Sequence, residues 1–173
     1  MDTRKMEKVT TLIIAIITVC LSFFSIWDWE VVGVYTGCDL YGHILYPFFH
    51  ANLLHATLNA WCLLSIVFIY DIKIWRLLLS YIIAATIPID ILGNFIDNMT
   101  LPTVGLSAMI FVLFGSISFE VLQKWYYQAW MLFYLTIGFF FPNTNAWIHL
   151  YCYIAGLVIA LMNKPIKSKH YDK

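Results

Sequence analysis

Three groups of polar residues in this chain sit within apolar stretches, and their types suit nucleophilic chemistry. The first is His50, His55 and Asn59, in the stretch His50-Ala-Asn-Leu-Leu-His55-Ala-Thr-Leu-Asn59. The second is Ser107, in Gly105-Leu106-Ser107-Ala108-Met109-Ile110-Phe111. The third is His149, followed by Cys152, Gly156 and Ala160. Polar side chains inside membrane helices are costly to bury and tend to mark function. A serine needs a base to take its proton and donors to hold the oxyanion that results. The set supplies each part: Ser107 as nucleophile, His149 as base, and His55, Asn59 and a backbone N–H as donors.

Each group also has a plainer role. His55 and Asn59 are four apart and share a helix face, where both could serve as interhelical glue. Ser107 could be a helix cap or a packing residue. It is not the G-x-S-x-G nucleophile elbow, because Met109 stands in place of the second glycine. Cys152, Gly156 and Ala160 form a small-residue stripe that lets a neighbouring helix come close. His149 tops that stripe, so it would be pressed against the same neighbour. Depth separates the readings, since all three groups fall near the same ends of helices that run in one direction.

Lipid is the solvent that the composition calls for. Of 173 residues, 62% are hydrophobic and 12% charged, and the mean hydropathy is +0.80. Soluble domains average about 25% charged and about 45–50% apolar residues. Six apolar runs suit membrane helices, at about 9–27, 53–70, 75–96, 103–122, 125–141 and 146–162. Pro142 stops the fifth, and Asn163, Lys164 and Pro165 stop the sixth. The first has a basic flank like a signal peptide. Its long apolar run, with no small-residue cleavage site before Trp27, keeps it as an anchor. The whole chain, 1–173, reads as one domain.

Charge placement orients this all-α bundle. Arg4, Lys5, Lys8, Lys73, Arg76, Lys124, Lys164, Lys167, Lys169 and Lys173 are all ten cations, and six spans put every one on one side. Asp28, Glu30, Asp39, Asp90 and Asp97 fall on the other. The positive-inside rule then makes both termini cytoplasmic. The first outer loop, about 28–49, is long and aromatic, and its run 41–49 is expected to dip into the interface. Asn98-Met99-Thr100 forms an outer glycosylation sequon, a three-residue pattern of small weight. Cys20, Cys38, Cys62 and Cys152 form no CxxC pair, zinc spacing or disulfide framework.

On these residues the chain resembles the rhomboid intramembrane serine proteases. The family's H-x4-H-x3-N pattern is met by His50, His55 and Asn59, and its G-x-S-[GA] motif by Gly105, Ser107 and Ala108, with Phe111 and Gly115 downstream. Its histidine with small residues at +3 and +7 is met by His149, Cys152 and Gly156. The resemblance implies a compact six-transmembrane-helix bundle. It implies a catalytic dyad of Ser107 and His149 without an aspartate. It also implies an oxyanion hole of His55, Asn59 and the Ser107 backbone N–H, a supporting His50, and Phe111 packed beneath the His149 ring. The short chain and the stretch His149-Leu150-Tyr151 are also similar to the rhombosortase-like branch, which trims C-terminally anchored surface proteins.

The sequence departs from the family in three places. Tyr41-Gly42-His43 stands where many members carry a Trp-Arg pair. Cys152 replaces a usual glycine, which would set the fourth and sixth spans slightly apart. A second register, aligned on Ile154-Ala155-Gly156, puts Tyr153 at the histidine position and makes the enzyme dead. The His149 register keeps a histidine together with both small residues. The expected partners are the bilayer and a transmembrane substrate entering laterally, and not nucleic acid. No cofactor or metal is implied, and no H-E-x-x-H occurs. The fifth span carries Trp125, Tyr126, Tyr127, Trp130, Phe133, Tyr134 and 139–141, all aromatic. They read as a lipid-facing belt or as a lateral gate. Two other functions remain open: an inactive relative that binds membrane clients, and a proton relay through His50, His55 and His149. Compact size and the lack of soluble domains suit a bacterial-type plasma (inner) membrane.

Overall fold

The computed structural model describes residues 3–24, 28–141 and 144–162. Trp27, Pro142, Asn163, Lys164, Pro165, Lys167, Lys169 and Lys173, and the side chain of Asn98, lie outside the described set. The described residues are all-helical, apart from one antiparallel bridge between Val34 and Thr103. In chain order the α-helices are α1 (Thr3–Leu21), α2 (Trp29–Val32), α3 (Leu40–Leu45), α4 (Leu53–Tyr70) and α5 (Ile74–Ala85). They continue with α6 (Ile89–Gly93), α7 (Ser107–Ser116), α8 (Lys124–Gly138) and α9 (Ala146–Met162). A 3-10 turn covers Asp97–Thr100. Among the described helices, α4 is long and apolar enough to cross a bilayer, while α5, α7 and α9 are apolar but shorter.

α7 is the centre of the molecule. Its residues are apolar on all sides, and a helix without a polar face belongs inside. Ala108, Met109, Ile110, Phe111, Val112, Leu113, Gly115 and Ser116 are all buried. α9, α5 and α4 pack around it, while α1 covers α4 and α8 lies along α9. Gly115 and Gly156 bring α7 and α9 into backbone contact. A methyl group at Gly156 would strike the Val112 carbonyl oxygen, and one at Gly115 the Tyr153 carbonyl oxygen. Cys152 is fully buried beside this contact. The separation expected from its thiol is therefore absent at the Gly115–Gly156 level.

Two expected spans differ from the helices that form. The third, expected over 75–96, ends at Ala85. Pro88 has no N–H to give and disfavours helical geometry in the residue before it, so the chain restarts as α6. The fourth, expected over 103–122, is cut to Ser107–Ser116. Thr103 is held extended by its bridge to Val34, and Gly105 takes φ +135°, outside helical space. The first helix begins at Thr3, ahead of the expected residue 9, and ends at Leu21. In the first loop Gly42 and Tyr46 are buried, while Leu40, Tyr41 and Ile44 face outward. α3 thus lies against the bundle with an apolar outer face.

Three ion pairs gather where α1 begins, α4 meets α5 and α7 ends. Arg4 bonds Asp71 at 2.6 Å, Lys73 reaches Asp71 at 3.4 Å, and Arg76 bonds Glu120 at 2.7 Å. The Arg4 hydrogen bond holds the Asp71 carboxyl below its usual range. Arg76 is buried and also donates to Ser116 Oγ at 2.8 Å. Glu7 Oε1 accepts from the Ile74 N–H at 3.2 Å, placing a carboxylate at the positive end of α5.

The α7–α9 contact leaves no room for a side chain. Gly156→Ala and Gly115→Ala should each destabilise the protein by about 1–3 kcal/mol, the usual cost of overpacking. Thermal unfolding in detergent measures this, and unchanged midpoints for both variants would disprove the close contact.

Candidate active site

Each candidate residue is placed by the start of a helix. Ser107 is the first residue of α7. His149 lies in the first turn of α9, which opens at Ala146. The Asn145 side chain caps that helix, its Oδ1 accepting from the Ile148 N–H at 3.3 Å. α4 opens with the same device, since Asn52 Oδ1 accepts from the His55 N–H at 2.9 Å. His55 and Asn59 follow in its first two turns. Three helix N-termini therefore converge, and each brings the positive end of its dipole.

Ser107 and His149 are in direct contact. Ser107 Oγ lies 2.8 Å from His149 Nε2, and both residues are half-buried. Phe111, one turn below Ser107, stacks on the imidazole with ring centroids 4.3 Å apart and planes inclined by 16°. The phenyl face fixes the plane of the ring, so Nε2 points at the hydroxyl. Tyr153 lies one turn further along α9. Its hydroxyl donates to Gln128 Oε1 at 2.7 Å and lies 3.4 Å from Ser118 Oγ, beyond the far end of α7. It is His149, not Tyr153, that faces Ser107.

The remaining polar groups surround the backbone ahead of Ser107. A Cβ on Gly105 would stand 3.0 Å from His55 Cε1, 3.3 Å from His55 Nε2 and 3.7 Å from Asn59 Nδ2. Both side chains therefore border the same bare backbone. His50 Nε2 accepts from the Leu106 N–H at 3.2 Å and lies 3.0 Å from Asn59 Nδ2. The His50 and His55 rings meet edge to face at 4.9 Å. The Ser107 N–H is among the first of α7, which have no partner within the helix. Cys152 and Gly156 lie further down α9 and serve its packing on α7. Among the described residues no group of three His, Cys, Asp or Glu side chains is placed to hold a metal ion.

Sequence reasoning missed three supports. The Tyr46 carbonyl accepts from the Gly105 N–H at 2.9 Å, and its buried hydroxyl donates to the Ala84 carbonyl at 3.0 Å. Asn145 Nδ2 donates to Thr103 Oγ1 at 3.1 Å. Asn145 carried a readable sign, an asparagine just before an apolar helical run. Tyr46 and Thr103 carried none, because their partners are distant in sequence.

Comparison with known families matches residues 37–165 to the Rhomboid domain. The chain belongs to the rhomboid family. Rhomboids are membrane proteins, and the family is in general one of intramembrane serine proteases. The match takes in both short helices after residue 37 and every candidate site residue, while α1 and α2 precede it. No curated protein and no solved structure gave a significant match.

Gly105 tests the assembly. Gly105→Ala would force a side chain into a conformation that L-residues rarely adopt and press it on His55. Strain of this kind costs about 1–3 kcal/mol. The thermal midpoint should fall, and a wild-type midpoint would mean that this backbone is not held as described.

Proposed function

We propose that this rhomboid is an active intramembrane serine endopeptidase. It hydrolyses a peptide bond in or near the membrane segment of a protein substrate. The observation that carries this reading is the 2.8 Å approach of Ser107 Oγ to His149 Nε2, with the imidazole held flat on Phe111. In the proposed reaction Ser107 Oγ attacks the scissile carbonyl while His149 takes its proton. His149 then gives that proton to the leaving amine, and water hydrolyses the acyl-enzyme by the same exchange. His55, Asn59 and the Ser107 N–H face the developing oxyanion, aided by the N-terminus of α7.

The proposed setting follows from charge and depth. α1, α4, α5, α7, α8 and α9 form six spans with both termini cytoplasmic, in a bacterial-type plasma membrane. The ion-paired end, with Arg4, Lys73 and Arg76, faces the cytoplasm. The site then opens near the outer surface, where water can reach it. A rhombosortase-like role would make the substrates C-terminally anchored surface proteins. The substrate helix enters laterally past α8, whose Trp125, Tyr126, Trp130, Phe133 and Tyr134 are exposed on the bundle.

A fluorophosphonate serine probe on detergent-solubilised protein tests the dyad. Wild type should label, and Ser107→Ala and His149→Ala should not. Asn59→Ala should react about 10²–10³-fold more slowly, the usual cost of one oxyanion donor. Folded wild type that does not label would favour an inactive relative that binds membrane clients. Lateral entry has its own test. Trp130→Ala or Phe133→Ala should raise cleavage of a transmembrane substrate if these rings hold a gate shut. Unchanged cleavage removes the gate.

A further inference from the structure

His50 is buried, lies against the site and takes no part in the proposed proton transfers. Its Nε2 has two neighbours, the Leu106 N–H at 3.2 Å and Asn59 Nδ2 at 3.0 Å. A backbone N–H can only donate. Nε2 must therefore present its lone pair, and His50 must be the neutral tautomer with its proton on Nδ1. That Nδ1 is buried and has no hydrogen-bond partner among the described residues.

The tautomer has a consequence for Asn59. An amide carries an oxygen on one side and an NH2 on the other. Against a lone pair the oxygen is repelled and the NH2 is held. One Asn59 N–H is then committed to His50, and the second is left to point elsewhere. Asn59 Nδ2 is also the atom closest to Gly105 on that side chain. The same lone pair takes up the Leu106 N–H, immediately before Ser107. One ring nitrogen thus sets both the turn of an oxyanion donor and the position of the backbone that leads into the nucleophile.

We propose that His50 is a positioning residue, whose Nε2 lone pair orients the Asn59 carboxamide and the Leu106–Ser107 backbone so that the second Asn59 N–H and the Ser107 N–H meet the oxyanion. This deepens the protease reading and rests on it. A residue acting partly through Asn59 should lose that part of its effect when Asn59 is gone. A residue that only fills space should not.

The tautomer can be read without any variant, from the 15N shifts of histidine-labelled protein in detergent at neutral pH. His50 should show a bare Nε2 and a protonated Nδ1. A protonated Nε2, as the other tautomer or as imidazolium, overturns the proposal. The coupling is read as the rate of fluorophosphonate labelling per folded molecule in a double-mutant cycle. His50→Leu should slow labelling at least tenfold, and His50→Gln, which offers a carbonyl oxygen, should recover part of that loss. Adding His50→Leu to Asn59→Ala should slow labelling by clearly less than it does in wild type, because only the Leu106 route is left to lose, and losses that multiply in full overturn the proposal. If His50→Leu does not fold, the wild-type spectrum and the His50→Gln cycle still decide. Wild type that does not label defeats the protease reading, while the His50 tautomer stands or falls by its own spectrum.

Discussion

The contact between α7 and α9 is the constraint on which the arrangement depends. Both helices start at the same end of the bundle. Ser107 lies eight residues before Gly115, and His149 seven before Gly156. Each interval is close to two helical turns. Once the two glycines bring the backbones together, Ser107 and His149 must meet at the other end of the shared seam. Phe111 fills the turn between them, its ring against the imidazole. The reach of a serine hydroxyl is short, so a seam opened by a single methyl group would part the pair. The glycines therefore matter for the Ser107–His149 contact two turns away, through distance alone.

The seam positions the side chains, but the backbone ahead of Ser107 is set by other elements. Val34 pairs with Thr103, the Tyr46 carbonyl takes the Gly105 N–H, and His50 takes the Leu106 N–H. Asn145 holds Thr103 from the start of α9. Each bond comes from a different part of the chain. Tyr46 explains how a loop can do this, because its hydroxyl is anchored on the Ala84 carbonyl at the end of α5. The first loop is thus built into the bundle, and its buried face is structural. The short α7 follows from the same bonds. Residues before Ser107 spend their hydrogen bonds on neighbours and cannot continue the helix.

The sequence was most legible where one residue type has few uses. A histidine above a small-residue stripe, a serine after a glycine and a His-x3-Asn pair all pointed to the groups that the structure brings together. An all-helical chain could be read from composition, and the family from spaced motifs. The helix limits were less legible. Pro88 was visible within the third expected span, but hydropathy alone carried that helix past it. The early end of α7 was hard to read, because 117–122 sets Ser118 and Glu120 among further apolar residues. Tyr46 and Thr103 looked like ordinary loop residues, since what they hold is set by contacts distant in sequence. The role of His50 needed geometry, because a motif gives a residue's type and not its tautomer.

Along α7 the polar groups stand in two sets with an apolar stretch between them. Arg76 bonds Glu120 and Ser116 at one end of α7; at the other, Ser107 meets His149, and His50 meets Asn59 and the Leu106 N–H. Between them α7 runs from Ala108 to Leu113 with no polar side chain. In such a medium a hydrogen bond counts mainly through the cost of losing it, since the abandoned partner finds no water. Removing Asn59 leaves His50 with a half-used acceptor, and removing His50 leaves both Asn59 and Leu106 with free donors. Stability and chemistry are therefore coupled at the site end, where the same bonds serve both. At the ion-paired end they are separate. A loss of reactivity with unchanged stability consequently singles out groups that meet the reacting atoms, while a joint loss marks the bonds that hold them in place.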